Sequence, residues 1–307
     1  KAESLLLRAL EIAEKKLGPE HPNTAAGFNN LVVLYSDQGL YDKAEPLLKR
    51  SLKSSLALIQ RESPYLILSE RPAFLELQAF PFDFSPSFAK KTKTGLKLAL
   101  FSRLNRQGLL AEIERRQSQL ASLPGPQQVI AQELRLVTQQ LASINLNDDQ
   151  RKNLSKRKSD LERKLYRLLP ELKPRTVDVL QVAKVIPRNA VLVEYQRYQP
   201  FYATKLDGEV WQEARYLALI LRPNAQVESF DLGLAQPIEA KIQQALTASE
   251  QGLADAQQLW NEVSDLVIKP LKVAIGDAET LFISPDAELN RIPFAALSSH
   301  NEDQLLG

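Results

Sequence analysis

Few residue types in this chain could do chemistry, and the shortage is itself informative. Two histidines, His21 and His300, and no cysteine occur among 307 residues. Without a thiol there is no sulfur nucleophile, no disulfide and no thiolate metal ligand. His21 sits in the run Gly18-Pro19-Glu20-His21-Pro22 and reads as a structural or exposed loop residue between two helices. His300 lies in the polar run Ser298 to Gln304 and reads as a surface histidine. Asp286 and Glu288 follow a short apolar run, at the kind of strand end where open α/β sheets often hold a site. Two carboxylates there could do acid–base work, but an Asp after Pro285 is first of all a turn former. No Gly-rich phosphate loop and no metal-ligand spacing is present. The residues therefore assign no catalytic position, no cofactor and no metal.

Composition narrows the remaining classes. The hydrophobic fraction of 44% and charged fraction of 25% are those of an ordinary globular chain, and the length predicts about two domains. A net charge of +2 is too balanced to point to nucleic acid. No apolar run approaches the roughly 20 residues of a membrane span, so no membrane partner is expected. The opening residues Lys1 to Lys16 are amphipathic and charged rather than a signal-peptide core. The default placement is cytoplasmic, and the oligomeric state is not legible. Because the chain has no methionine, Lys1 is expected to follow a missing upstream segment.

The elements come into view through an internal repeat. Lys1-Ala2-Glu3-Ser4-Leu5-Leu6-Leu7-Arg8-Ala9-Leu10 recurs 42 residues on as Lys43-Ala44-Glu45-Pro46-Leu47-Leu48-Lys49-Arg50-Ser51-Leu52, identical at seven of ten positions. Both copies carry the stripe of an amphipathic helix. Between them come a stop at Gly18-Pro19, a start at Asn23-Thr24 and a helical pattern from Ala25 to Gln38, ended by Gly39. Helical hairpins at a fixed period predict a solenoid. Phe28, Leu31, Tyr35, Gly39, Tyr41, Ala44 and Leu48 fall where a tetratricopeptide repeat places its packing residues, so residues 1–56 resemble that family. The LGPEHPNT loop, the Asn29-Asn30 pair and the period resemble its kinesin-light-chain subtype. In that frame Lys1 opens the second helix of a repeat, and Leu6 and Leu10 are expected to be partly uncovered.

Ala26, Asn29, Val33 and Ser36 share one face of the central helix. In tetratricopeptide arrays that face lines the concave groove, which makes Asn29, Val33 and Ser36 the candidate peptide-binding residues. Asn29 carries both a donor and an acceptor for an extended backbone. The competing reading has Asn29 tying adjacent repeats together, and the sequence leaves both open.

Beyond the repeat, Ser69-Glu70-Arg71-Pro72 and Phe80 to Pro86 are expected to break helical periodicity and form a packed connector. Lys90, Lys91 and Lys93 read as a solvated helix start. From Leu98 to Leu169 the pattern is helical. Its stripes are Leu109, Ile113 and Leu120, then Ile130 to Ile144, then Leu154 to Leu168 after an Asn147-Asp148 cap, which predicts an antiparallel hairpin or three-helix element. Arg151, Lys152, Lys156, Arg157 and Lys158 read as its wet face. Strands are predicted at Ala190 to Tyr198, Tyr216 to Leu221 and Val227 to Leu232, with a turn at Asp207-Gly208 in the first connection. Helices follow at Ile238 to Ala248 and Ala254 to Ile268, then an apolar strand at Thr280 to Ser284 that predicts a parallel α/β sheet with an open edge. Trp211 and Trp260 read as core residues.

The segment Ser284-Pro285-Asp286-Ala287-Glu288-Leu289 with Pro293-Phe294-Ala295-Ala296-Leu297 resembles the CHAT family, the caspase-like domain attached to tetratricopeptide repeats in bacteria. Val193-Glu194-Tyr195, Tyr216-Leu217-Ala218 and Asp231-Leu232-Gly233 are similar to its preceding hairpin. Arg103-Leu104-Asn105-Arg106-Gln107-Gly108-Leu109-Leu110 is similar to the spacer of such proteins, cyanobacterial ones especially. The resemblance implies repeats and a connector at 1–56 and 57–172, then the N-terminal part of a caspase-like α/β domain at 173–307. It implies a cysteine endopeptidase parent whose His-Cys dyad lies beyond Gly307, and a protein or peptide partner in the groove. The alternative is a non-catalytic interaction scaffold; a weaker one is a helical adaptor with a small sheet.

Overall fold

The computed structural model describes residues 2–92, 94–143, 145–202 and 210–297. His300, Asp207-Gly208, Lys93 and Ile144 lie outside these described residues. In chain order the helices are α1 (Ala2–Leu17), α2 (Pro22–Asp37), α3 (Tyr41–Glu62), α4 (Arg71–Leu77), α5 (Phe80–Phe88) and α6 (Gly95–Arg106). They continue with α7 (Leu109–Ala121), α8 (Pro126–Leu141), α9 (Asp148–Leu168) and α10 (Val179–Val185). Then come β1 (Ala190–Tyr198), β2 (Arg215–Leu221), β3 (Val227–Leu234), α11 (Ala235–Glu250), α12 (Ala256–Val267), α13 (Lys272–Ile275) and β4 (Thr280–Ser284). The described residues are thus mostly helical, with one mixed sheet of four strands among them.

Two compact units divide the chain. One comprises Lys1–Leu31, Lys49–Pro81 and Asn105–Thr176; the other comprises Val32–Leu48, Phe82–Leu104 and Val177–Gly307. In the first, helical unit, Leu10 of α1 is buried, contrary to its expected exposure. Gly27 of α2 packs against it: a Cβ there would meet Leu10 Cδ1 at 3.1 Å, so a larger residue would push the leucine aside by a few tenths of an ångström. Leu6 is half-buried, and the large apolar side chains left in solvent on α1 are Leu5, Leu7, Ile12 and Leu17. Thr24 Oγ1 donates to Gly18 O at 2.8 Å and Ser54 Oγ to Pro19 O at 2.8 Å, which pins the loop between α1 and α2. Further along, α7, α8 and α9 form the predicted three-helix element around Ala121, Leu165, Tyr166 and Leu169. Asn147 caps α9 with a reciprocal box: its Oδ1 accepts from Gln150 N at 2.8 Å, and Gln150 Oε1 from Asn147 N at 3.1 Å.

The connector expected to lack helical order contains α4 and α5 instead. Pro72 and Pro81 fall in first turns, where no N–H is needed. Pro86 is inside α5 and leaves the Phe82 carbonyl without its usual donor. In the sheet-bearing unit that carbonyl accepts instead from Ser85 Oγ at 3.0 Å and Ser102 Oγ at 3.4 Å. Two hydroxyls thus replace one amide, and the helix survives its proline.

The sheet of this second unit runs β3-β2-β1-β4. β1 pairs antiparallel with β2 and parallel with β4, while β2 pairs antiparallel with β3 around an irregularity at Tyr216/Leu217. Period-two alternation splits the apolar residues between two faces. Val191, Val193, Tyr195, Ala218 and Ile220 pack with Ile242 of α11 and Val263 of α12. Ala190, Leu217, Leu219 and Leu221 pack with Leu100 of α6 and Ala183 of α10. Helices cover both faces, which is why β2 is apolar from Leu217 to Leu221. Trp260 belongs to this core, and its Nε1 donates to Ser249 Oγ at 2.9 Å. β4 closes the sheet order with Phe282 exposed.

Candidate functional site

The three residues predicted to meet a peptide lie on α2, and each is half-buried. Asn29 Oδ1 accepts from Ser51 Oγ of α3 at 2.5 Å, while Asn29 Nδ2 has no partner among the described residues. One end of the amide thus ties two helices together, and the other end keeps its donors. Ser36 Oγ is buried with no hydrogen-bond partner among the described residues. Gly39, at φ +71°, ends the helix in the left-handed conformation, where its amide bonds Ser36 O at 3.1 Å and Leu40 N bonds Tyr35 O at 2.8 Å. His21 accepts from Asn23 N through Nδ1 at 3.1 Å, a loop contact at the start of α2.

A second constellation, in the sheet-bearing unit, surrounds a buried arginine. Arg103 Nε donates to Glu194 Oε2 at 3.1 Å, Nη1 lies 3.2 Å from Asp286 Oδ1, and Nη2 donates to Pro285 O at 2.9 Å. Asp286 Oδ2 also accepts from Arg197 N at 2.8 Å. Glu194 stands opposite Ser284 in the parallel register, so the cluster sits at the carboxyl ends of β1 and β4. Burial raises the Glu194 pKa, against the pull of Ser284 and Arg103. Glu288 turns elsewhere, to Arg291 Nη1 at 2.9 Å. Asp286 and Glu288 therefore have separate cations and do not act as a carboxylate pair. The arginine's donors are committed to holding the turn after β4. Sequence reasoning quoted Arg103 and Glu194 only within family motifs; the one independent signal was a carboxylate inside an apolar strand.

The same unit holds a cavity of about 770 Å³ lined by α2, α5 and the strands flanking residues 199–215. Ser36, Tyr41, Phe88, Phe201 and Trp211 line it. Trp211, predicted as core, is half-buried on this wall. Arg215 and Asp231 form a two-pronged pair there at 2.9–3.1 Å. Burial next to Asp231 pushes the Tyr198 hydroxyl up to about 12. Sequence reasoning missed this cavity, because its rings come from segments more than 100 residues apart.

Residues 1–57 match the tetratricopeptide repeat family. No curated protein and no solved structure matches the chain. The family assigns protein–protein interaction to the matched residues. Among the described residues no helix is long and apolar enough to cross a membrane.

Proposed function

We propose that the repeat receives an extended segment of a protein partner along the α2 face carrying Asn29, Val33 and Ser36. The observation that carries this reading is the division of labour at Asn29. Its oxygen is fixed by Ser51, which orients the side chain, and its amide nitrogen is left to donate to a partner carbonyl. Val33 adds a half-buried apolar contact and Ser36 a hydroxyl without a partner among the described residues. The kinesin-light-chain subtype, from the Gly18–Thr24 loop and the 42-residue period, belongs to this reading, as does a cytoplasmic setting. The test is selection of peptides from a displayed random library on the immobilised chain, followed by titration. Val33→Glu should weaken the selected peptides about tenfold or more, and Asn29→Ala several-fold, while Lys152→Ala leaves them unchanged. Peptides indifferent to Val33→Glu would remove the face from consideration.

A second reading concerns 173–307, which we infer to be the N-terminal part of a caspase-like CHAT domain. Its support is that Arg103, Glu194 and Asp286, from three separate motifs of the resemblance, meet within 3.1–3.2 Å. The parallel β1–β4 pair, reached through α11 and α12, has the layout of an α/β sheet. The chain carries no cysteine, so residues 1–307 supply no thiol for peptide hydrolysis. Cysteine endopeptidase activity is proposed only for a protein in which a His-Cys dyad accompanies this sequence; a non-catalytic scaffold is the alternative. Fluorogenic peptides should stay intact with this chain, and hydrolysis resistant to thiol reagents would count against the caspase-like reading.

A further inference from the structure

We propose that the aromatic cavity of the sheet-bearing unit binds an uncharged, proline-rich peptide segment in the polyproline II conformation. This goes beyond the repeat-face reading: it shares Ser36 with that reading but uses neither Asn29 nor Val33.

The walls supply the first argument. Tyr41 meets Phe88 edge-on with centroids 5.7 Å apart, Phe88 lies 6.3 Å from Phe84, Phe84 5.1 Å from Phe201, and Phe201 4.8 Å from Trp211. Phe84 and Phe88 are buried and back this row of rings, so the rings that face the cavity are Tyr41, Phe201 and Trp211, with Tyr202 exposed at the rim. Aromatic walls of this kind bind pyrrolidine rings by flat apolar contact, and polyproline II segments lose little entropy on docking.

Charge supplies the second. Arg215 and Asp231 neutralise each other, which leaves Lys90 and Lys91 against Asp37 and Glu213. Equal numbers of each sign give no net attraction for a phosphate backbone, an acidic peptide or a basic one. An uncharged occupant is the one this lining does not penalise.

The third argument is the orphan hydroxyl. Ser36 lines the cavity, and its Oγ is buried with no hydrogen-bond partner among the described residues, a condition that costs free energy until an acceptor reaches it. A polyproline II backbone has no internal hydrogen bonds, so its carbonyls are free to accept. The cavity volume of about 770 Å³ also falls within the roughly 300–1,000 Å³ of ordinary ligand sites.

Tryptophan emission of the intact chain, titrated with a blocked oligoproline peptide, tests the inference. The chain has two tryptophans, and Trp260 is buried and bonded to Ser249, so a change reports Trp211. A saturable shift is expected, lost in Trp211→Phe and weakened about tenfold in Tyr202→Ala, a rim change that spares the core. Ser36→Ala should weaken binding several-fold, Asn29→Ala should not, and affinity should change less than about twofold between roughly 50 and 200 mM salt. Absence of a saturable shift, a steep salt dependence, or competition by oligoglutamate or oligolysine would overturn it. So would equal weakening by Asn29→Ala. Failure of the repeat-face reading would leave the Trp211 signal intact.

Discussion

Each unit of this chain buries an arginine, and the two are accommodated in opposite ways. Arg71, in the helical unit, is wholly buried among neutral partners. Its Nε donates to Leu66 O at 3.1 Å, its Nη2 to Gln117 Oε1 at 2.6 Å, and its guanidinium lies 4.8 Å from the Tyr166 ring centroid. Its ion-pair contact, Glu114, is 3.9 Å away and half in solvent. Burial accordingly lowers the Arg71 pKa. Arg103, in the sheet-bearing unit, faces two carboxylates at 3.1 and 3.2 Å. Neutral dipoles solvate a charge without needing it in return, whereas the buried Glu194 and the half-buried Asp286 depend on their cation. The helical unit uses its arginine as a hub for carbonyls; the sheet-bearing unit uses its own as a counter-ion.

The largest effect should therefore follow Arg103→Met. Removing the cation leaves Glu194 and Asp286 close to one another with no neutralising partner, and the turn after β4 loses its tie to α6. A loss of about 3–5 kcal/mol in denaturant unfolding is expected. A loss below about 1 kcal/mol would mean that the carboxylates find other solvation and that the contrast is false.

Arg71→Met should cost less, about 1–3 kcal/mol, because it strands neutral acceptors at Leu66 and Gln117 rather than charges. Part of the side-chain volume is refilled by an apolar group against Tyr166. If this variant is as damaging as Arg103→Met by the same measurement, partner type does not set the cost.

The helical unit also leans on local devices, and Asn147→Ala isolates one. The half of the box made by the Asn147 side chain, which accepts from Gln150 N, disappears while the Gln150 side chain keeps the backbone amide of residue 147, for an expected loss of about 1 kcal/mol. Asn147→Asp should retain most of it, since a carboxylate can accept from Gln150 N and suits the helix N-terminus. Equal losses in the two variants would show that the cap does not set the stability of this hairpin.

What could be seen in the residues beforehand follows the same division between local and distant causes. β1 and β4 were legible to the residue, because alternating or continuous apolar runs are local signals. The cap at Asn147 was legible for the same reason. α5 was not: Pro81 and Pro86 argue against a helix, and the two serines that rescue the Phe82 carbonyl include one 20 residues away. Leu10 was misjudged because the next helix packs against it at Gly27. Arg103 and Glu194 are 91 residues apart, and only the pairing of α6 with β1 makes them neighbours. The cavity likewise needs Tyr41, Phe88 and Trp211 brought together by tertiary structure. By contrast α2 itself, with its apolar spacings of three and four, was readable as a helix.

The smallest effect carries the most information about Arg103. Counting ion pairs, Glu194→Gln removes a salt bridge and should destabilise. The direction of the Glu194 pKa says otherwise: burial raises it despite Arg103 and Ser284, so the folded state favours the neutral carboxyl. A group whose pKa is higher folded than unfolded contributes stability below the unfolded value, and that contribution fades as pH rises through the folded one. At neutral pH the glutamate therefore ionises more readily in the unfolded chain than in the folded one, a cost that glutamine avoids, while glutamine still accepts from Arg103 Nε. Glu194→Gln should unfold within about 1 kcal/mol of the parent at neutral pH, on the more stable side. Below the usual carboxylate pKa of 4.5 the advantage should vanish, because the glutamate is then protonated in the unfolded chain as well. Denaturant unfolding of both proteins across that range decides the matter. A clear destabilisation at neutral pH, shrinking on acidification, would make Glu194 a needed anion, with Asp286 insufficient to balance Arg103 alone.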